Sequence, residues 1–342
     1  MNSSRNSSPS AGSVMHGNQP NPGTGPRPGG NWRNALNSLS VVGALLALII
    51  IFSVTSPYFL SRDNFYRLLE QAAVVVVLCA GQSLVVFAKG IDVSQGSIVG
   101  LASVCGAMVM RAHYGITAGV VTMLVIGLLA GIANGLLIVR AKVVPFIATL
   151  AMLSIVGGCA LLITDGQPVF GMPSSFGDFG SSGLGVFPYI AIIAAAFALL
   201  IDFVMGQTRT GRYIYAVGSN ENGARIAGIA VDRIIIIAYG LSGLAAGTGA
   251  VLLTAYVNTA QPTGNMDLQL QAIAAVVIGG GSLLGGEGTI ACSVAGALLL
   301  TVLSNGTQLL GLSSNLQTVL LGFVVLAAVV VDNLRRKARV VR

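Results

Sequence analysis

The sequence predicts an all-α protein, a polytopic bundle of transmembrane helices with about ten spans. Three observations carry that expectation. Only 8% of the 342 residues are charged and 54% are hydrophobic, whereas a soluble globular domain carries about 25% charge. The apolar residues fall in runs long enough to cross a hydrocarbon core of about 30 Å, which takes roughly 20 helical residues. The 18 Lys and Arg are grouped between the runs rather than spread along the chain. Open strand edges have no place in lipid, and the runs are too long for barrel strands, so the spans are helices.

The elements follow in order. Residues 1–34 are Ser, Asn, Gly and Pro with almost no apolar content, too little to offset chain entropy, so a disordered tail is expected. No signal peptide is expected: the first apolar run starts too late and shows no small-residue cleavage site where one is needed. One membrane domain is expected over 35–332. Its spans lie near 37–56, 68–88, 95–112, 117–139, 145–164, 188–206, 234–256, 270–286, 289–309 and 316–331. The third, eighth and ninth are rich in Gly. Residues 333–342 form a basic tail.

Orientation follows from counting cations. With the N-terminus inside and the spans alternating, 15 of the 18 Lys and Arg fall on the cytoplasmic side; only Arg62, Arg67 and Arg111 fall outside. Cytoplasmic loops collect Lys and Arg, so both termini are expected in the cytoplasm. The longest outside loop, 165–187, has no Lys or Arg. The longest polar cytoplasmic loop is 207–233, with Arg209, Arg212, Glu221, Arg225, Asp232 and Arg233. A membrane protein that keeps one charged, helix-capable loop in water is showing it to a partner.

The short motifs are weighed against plain structural roles. Cys79, Cys105, Cys159 and Cys292 lie apart in apolar runs with no CxxC, as small core residues do. Gly127, Gly131 and Gly135, and Gly243 and Gly247, recur at four-residue spacing; such faces let helices approach closely, within one subunit or at a dimer or moving interface. GSLLGGEG at 281–288 has phosphate-loop glycine spacing, but Glu287 stands where Lys is needed, and GxxxxGK[ST] occurs nowhere. The chain is therefore expected to bind no ATP itself, and 281–288 reads as a cytoplasmic break between spans. Asp92 in AKGIDVSQGS either caps the next helix or sits beside a polar pathway. Asp202, one turn before the sixth span ends, reaches the interface or pairs with Arg209. His113 is given no role. No HExxH, GxSxG or acid–base carboxylate pair is present, so no enzyme is expected.

The chain resembles a known family: the permease subunit of bacterial ABC importers for monosaccharides, the branch typified by the ribose permease. The matching stretches include GIDVSQGSIVGLAS (90–103), VPFIATLAMLSIVGG (144–158), TDGQPV (164–169), TRTGRYIYAVGSNENGARIAGIAVDR (208–233), YGLSGLAAGTGAVLLTAYVNTAQPT (239–263), LQAIAAVVIGGGSLLGGEGTI (270–290) and LLGLSSNLQTVLLGFVVLAAVVVD (309–332). The resemblance implies a multi-pass inner-membrane permease that works as a homodimer. It implies two further partners, an ABC ATPase that uses ATP and Mg and a periplasmic sugar-binding protein. It also implies that the 207–233 loop carries a short coupling helix. Gly211, Arg212, Asn220, Glu221, Ala224, Arg225 and Gly228 match that element and its ends. Asn220 suits an N-cap, Glu221 a first turn, and Gly228 a helix end. Gly223, Lys89 and Glu287 depart from the family pattern, and glycine in a helix interior costs about 1 kcal/mol.

For the translocation path the polar residues at membrane or mouth positions are Asp92, Ser94, Gln95, Asn134, Gln261 and Asp267, with Phe146 as a stacking surface. A stand-alone secondary transporter or channel for small polar solutes is the alternative. It would need no partner.

Overall fold

The computed structural model describes residues 30–263, 266–313 and 315–324, with 326 and 330. The basic tail, and the expected N-terminal tail up to residue 29, lie outside the described residues. Helices occupy the apolar runs. They are α1 (Gly30–Thr55), α2 (Arg62–Phe87), α3 (Gln95–Arg111), α4 (Ile116–Val139), α5 (Pro145–Thr164), α6 (Ser174–Ser181), α7 (Tyr189–Gln207), α8 (Arg209–Ser219), α9 (Glu221–Ile226), α10 (Val231–Val257), α11 (Met266–Ile278) and α12 (Ile290–Leu309). A helix α13 covers Asn315–Val324. Six of these, α2, α4, α5, α7, α10 and α12, are long and apolar enough to cross a membrane.

The helix ends follow from local chemistry. Ser61 Oγ accepts from Asn64 N at 3.2 Å and starts α2; Thr289 Oγ1 accepts from Cys292 N at 3.3 Å and starts α12. Pro145 opens α5, where its missing N–H costs nothing. The expected span 270–286 ends early, at Ile278. Gly280 takes φ +83°, and the amides of Gly280 and Gly281 return to Val277 O and Val276 O. That is the stop pattern in which a left-handed residue satisfies the last carbonyls. α2 stops the same way, with Lys89 N on Val86 O and Gly90 N on Val85 O. There the left-handed position, φ +68°, is held by Lys89 rather than glycine.

α2 is the centre of the bundle, buried continuously from Ala72 to Phe87, with α7, α10, α11 and α12 packed around it. The glycine stripes settle into one helix pair within the subunit. A Cβ on Gly131 would collide with Tyr239 O, and one on Gly127 with Gly243 O. α4 and α10 therefore pack backbone against backbone. The 165–187 loop is more structured than its composition suggests. It holds α6 and a two-residue antiparallel hairpin, β1 (Gly183–Leu184) with β2 (Phe187–Pro188), and Gly180 of α6 rests on Ala255 O of α10. Of the four cysteines only Cys79 is fully buried; Cys105 and Cys292 are half-buried, and Cys159 faces outward from α5.

Candidate functional site

Two polar regions and one cleft stand out in this apolar frame. The first begins where α2 ends. After Lys89 the chain turns back into the bundle. Gln95 Nε2 donates to Leu78 O at 3.4 Å, so α3 starts more than two turns in from the α2 terminus. Non-helical backbone at such depth is tolerated only where protein surrounds it. Asp92 is 0% exposed. Its Oδ1 accepts from Ser94 N at 2.9 Å and Ser94 Oγ at 2.6 Å, and its Oδ2 from Ser242 Oγ of α10 at 3.0 Å. Asp92 thus leads into α3 by a turn bond to Ser94, two residues ahead of the position a cap would take.

The network extends from there. Gln95 Nε2 also donates to Ser242 Oγ at 2.8 Å, and Asn134 Nδ2 of α4 to Ser94 Oγ at 2.8 Å. Thr149 Oγ1 of α5 donates to Ile91 O at 3.1 Å. Gly96 N donates to Gln269 Oε1 of α11 at 3.3 Å. Gln82, with its amide turned to face its neighbours, donates to Asp92 O and Gln95 Oε1. Asp92, Ser94, Gln95 and Asn134 therefore come together in one network, and all four are fully buried. A buried polar group costs free energy unless bonded; here the bonds tie α2, α3, α4, α5, α10 and α11 to one loop. Asn134 Oδ1 is the exception, buried without a partner.

The second region is 207–233. Thr208 Oγ1 accepts from Gly211 N at 3.3 Å and starts α8. Gly211 is buried, because a Cβ there would collide with Met205 O of α7. Asn220 Oδ1 accepts from Gly223 N at 2.9 Å and starts α9. At the other end Gly228 takes φ +80°, and the amides of Gly228 and Ile229 return to Arg225 O and Ala224 O. Both ends of the expected short helix are thus capped as its residue types allow. Ala224 faces the protein, buried to 5%. Glu221, Arg225 and Gly228 face outward with Asn220 and Arg212. Arg225 Nη2 meets Asp232 Oδ1 at 3.1 Å and Glu221 Oε1 at 3.3 Å.

Sequence reasoning missed two parts of this region. Ile226 is 89% exposed, the largest apolar exposure on the loop and next to Arg225. Its signal was an isoleucine between Arg and Ala in a polar stretch. The other part is what α8 rests on. Tyr215 stacks on Phe87, the last residue of α2, at 5.4 Å, and its hydroxyl donates to Gly288 O at 2.9 Å. Burial, with Asp202 adding, pushes that phenol up to about 12, so it stays a donor. Gly286 N donates to Phe87 O at 2.9 Å, and a Cβ on Gly218 would strike that same carbonyl. The 281–288 glycines thus let three backbone segments meet under α8. Asp202 is exposed and pairs with no basic side chain among the described residues.

The remaining path residues are scattered. Phe146 lies in the first turn of α5, 48% exposed, towards the end of the bundle that carries 207–233. Gln261 and Asp267 are exposed at the opposite end. Asp267 opens onto a cleft of about 230 Å³ between α11, α12 and α13, lined also by Gln271, Ser304 and Gln308. A cavity of about 210 Å³ adjoins it, reaching Gln71 of α2 and Tyr256 of α10.

The sequence pattern of the "Branched-chain amino acid transport system / permease component" family matches residues 64–329. The chain is 39% identical over 295 residues to the ribose import permease protein of Escherichia coli strain K12, covering 85% of this chain and 92% of that protein. It is 38% identical over 291 residues to the ribose import permease protein of Bacillus subtilis strain 168, covering 84% and 90%. It is 34% identical over 296 residues to the D-allose transport system permease protein of Escherichia coli strain K12, covering 86% and 91%. No solved structure matches the chain.

Proposed function

We propose that this chain, which belongs to the branched-chain amino acid transport system / permease component family and is a multi-pass inner-membrane permease, carries a monosaccharide as one subunit of an ATP-binding-cassette importer. The observation that carries the sugar is the identity of 34–39% to ribose and D-allose permeases over about 85% of the chain. The family's printed title names amino acids, so sugar and branched-chain amino acid are the two cargoes to separate.

In this reading the chain catalyses no chemistry and binds no cofactor. A separate ATPase uses ATP and Mg, a periplasmic sugar-binding protein delivers cargo, and two copies of the chain form the path. About ten spans cross the membrane over 35–332, with both termini in the cytoplasm, as the cation asymmetry supports. The tails 1–34 and 333–342 flank that domain.

Coupling runs through α9. Asn220, Glu221, Arg225 and Gly228 present the helix to the ATPase, and Arg212 is exposed on α8. Ala224 seats α9 on the bundle, and Gly211 seats the start of α8 against Met205 of α7. Exposed Ile226 adds an apolar contact of the kind that anchors interfaces when it enters a pocket. A displacement of α9 passes to α8, and from Tyr215 and Gly218 to the end of α2. From there the chain re-enters the bundle as the loop that holds Asp92, Ser94 and Gln95, closed by Asn134. That cluster is where a shift at the cytoplasmic face would reach the middle of the path. Phe146 belongs to its inner mouth, and Gln261 and Asp267 to its outer mouth.

The test is uptake in proteoliposomes holding the chain with a candidate ABC ATPase and a candidate sugar-binding protein. D-ribose and D-allose should enter only with all components and ATP, and L-leucine should not. Gradient-driven uptake by the chain alone would favour the secondary-transporter reading instead. Undiminished sugar uptake by Glu221→Ala combined with Arg225→Ala would remove the coupling role of α9.

A further inference from the structure

Polar side chains in an apolar bundle usually have partners. Asn64 of α2 and Asn305 of α12 show the rule: their amides exchange bonds at 2.9 and 3.0 Å, both buried. Around the cleft at the opposite end from 207–233 the pattern changes. Asp267 and Gln271 stand four apart on α11, and Ser304 and Gln308 four apart on α12, so each pair shares one helix face. These faces line a cleft of about 230 Å³. Gln71, Gln271, Ser304 and Gln308 line the adjoining cavity of about 210 Å³. Gln271, Ser304 and Gln308 are common to both, so the two form one continuous recess.

Most of the hydrogen-bonding capacity there is unspent. The Gln271 amide and the Ser304 hydroxyl bond to no other side chain or backbone group among the described residues. The contact from Gln71 Nε2 to Gln308 Oε1 is 3.4 Å long and exposed, leaving most of both amides open. Tyr256 supplies an aromatic wall.

We infer that Gln71, Asp267, Gln271, Ser304 and Gln308, with Tyr256, form the subsite that receives a neutral polyol on its way into the bundle. This rests on the permease reading above and names the cargo chemistry for it. An amide offers two donors and an acceptor, and a sugar hydroxyl is both donor and acceptor, so three amides and a hydroxyl match a ring of hydroxyls. Tyr256 offers a flat apolar surface to the C–H face of such a ring. Among the described residues no Lys or Arg lines either cavity, and Asp267 is the one charge. An amino acid would enter with its ammonium matched by Asp267 but its carboxylate left with no basic partner, whereas a neutral ring of hydroxyls brings no unmatched charge. The recess thus selects a sugar over the amino acid of the family's title.

The experiment compares wild type with Gln271→Leu, Gln308→Leu and the milder Ser304→Ala in the full complex, reading uptake of radiolabelled D-ribose, D-allose and L-leucine. Melting temperature and complex assembly are measured alongside. The expected result is a maximal sugar uptake rate tenfold or more lower in each leucine variant and severalfold lower in Ser304→Ala. The half-saturating concentration of loaded binding protein should stay unchanged; a rise in it at an unchanged maximal rate would assign these residues to docking and overturn the subsite. Gln271→Asn, which keeps the amide, should recover part of the rate. If a leucine variant fails to assemble, Ser304→Ala and Gln271→Asn decide. Sugar uptake at the wild-type rate in assembled variants overturns the subsite and leaves the permease reading intact. Wild-type uptake of L-leucine without either sugar overturns that reading and the subsite with it.

Discussion

Replacing Asn220 by Ala removes one side-chain oxygen from a helix that depends on it. α9 has six residues, against about 12–15 for an isolated helix that is even marginally stable in water. It is held by its ends: Asn220 Oδ1 on Gly223 N at 2.9 Å, the turn at Gly228, and the seat of Ala224. Loss of an N-cap to Ala costs about 1 kcal/mol, and about 1.4 kcal/mol is a factor of ten, so the ordered fraction of α9 falls by up to about fivefold. If only ordered α9 docks, the apparent affinity for the ATPase falls by the same factor. The measurement is the dissociation constant of the purified ATPase for the permease in nanodiscs. Asn220→Asp keeps the acceptor and should bind nearly as wild type. Gly223→Ala raises helix propensity, yet its Cβ would stand 3.0 Å from Asn220 Nδ2. In the Asn220→Ala background that obstruction is gone, so adding Gly223→Ala should recover affinity. Wild-type affinity for Asn220→Ala would refute the capping argument. So would an equal loss in Asn220→Asp, which would mean that Asn220 touches the partner directly.

Four further outcomes are expected. Ile226→Asp should leave the melting temperature unchanged, because the side chain is outside the core, while the ATPase affinity in the same nanodisc assay drops at least tenfold. Gly218→Ala should lower the melting temperature by an overpacking cost of about 1–3 kcal/mol, since its Cβ meets the Phe87 carbonyl; thermal unfolding in detergent measures it. Ser242→Ala strips Asp92 Oδ2 and Gln95 Nε2 of a shared partner and should cost about 1–3 kcal/mol in the same assay. Lys89→Gly should raise the melting temperature, because φ +68° is a left-handed conformation that costs a non-glycine residue about 1 kcal/mol or more.

Much of this was legible in the residues alone. Helix existence, most helix ends and the caps of α9 depend on contacts within four positions, and such contacts are written in order along the chain. Asn220 and Gly228 were placed by the family resemblance, and their residue types agreed because a cap needs only its own side chain and the next turn. The early stop of α11 could have been read from three consecutive glycines at 279–281, but the surrounding hydropathy masked it. The polar path was harder. Asp92, Ser94, Gln95 and Asn134 were recognised as polar at depth, yet whether they face a cavity or one another is not a local property.

By itself the sequence determined a charge-poor helical membrane bundle and a charged loop at 207–233; the family resemblance placed a short helix in that loop, with residues at its ends that can cap it. The bundle and the loop follow from hydropathy and length, and the caps from nearest-turn bonding. Only the tertiary structure decided that the glycine stripes of α4 and α10 close on each other inside one subunit. It alone buried Asp92 beneath Ser242, turned Ile226 outward and set α8 on the end of α2. It also brought Gln71 of α2 together with Gln271 of α11 and Gln308 of α12, 200 or more residues further along the chain, around one recess. The reason is that packing is decided by shape complementarity between distant segments. A polar side chain gains its meaning only from what stands opposite it.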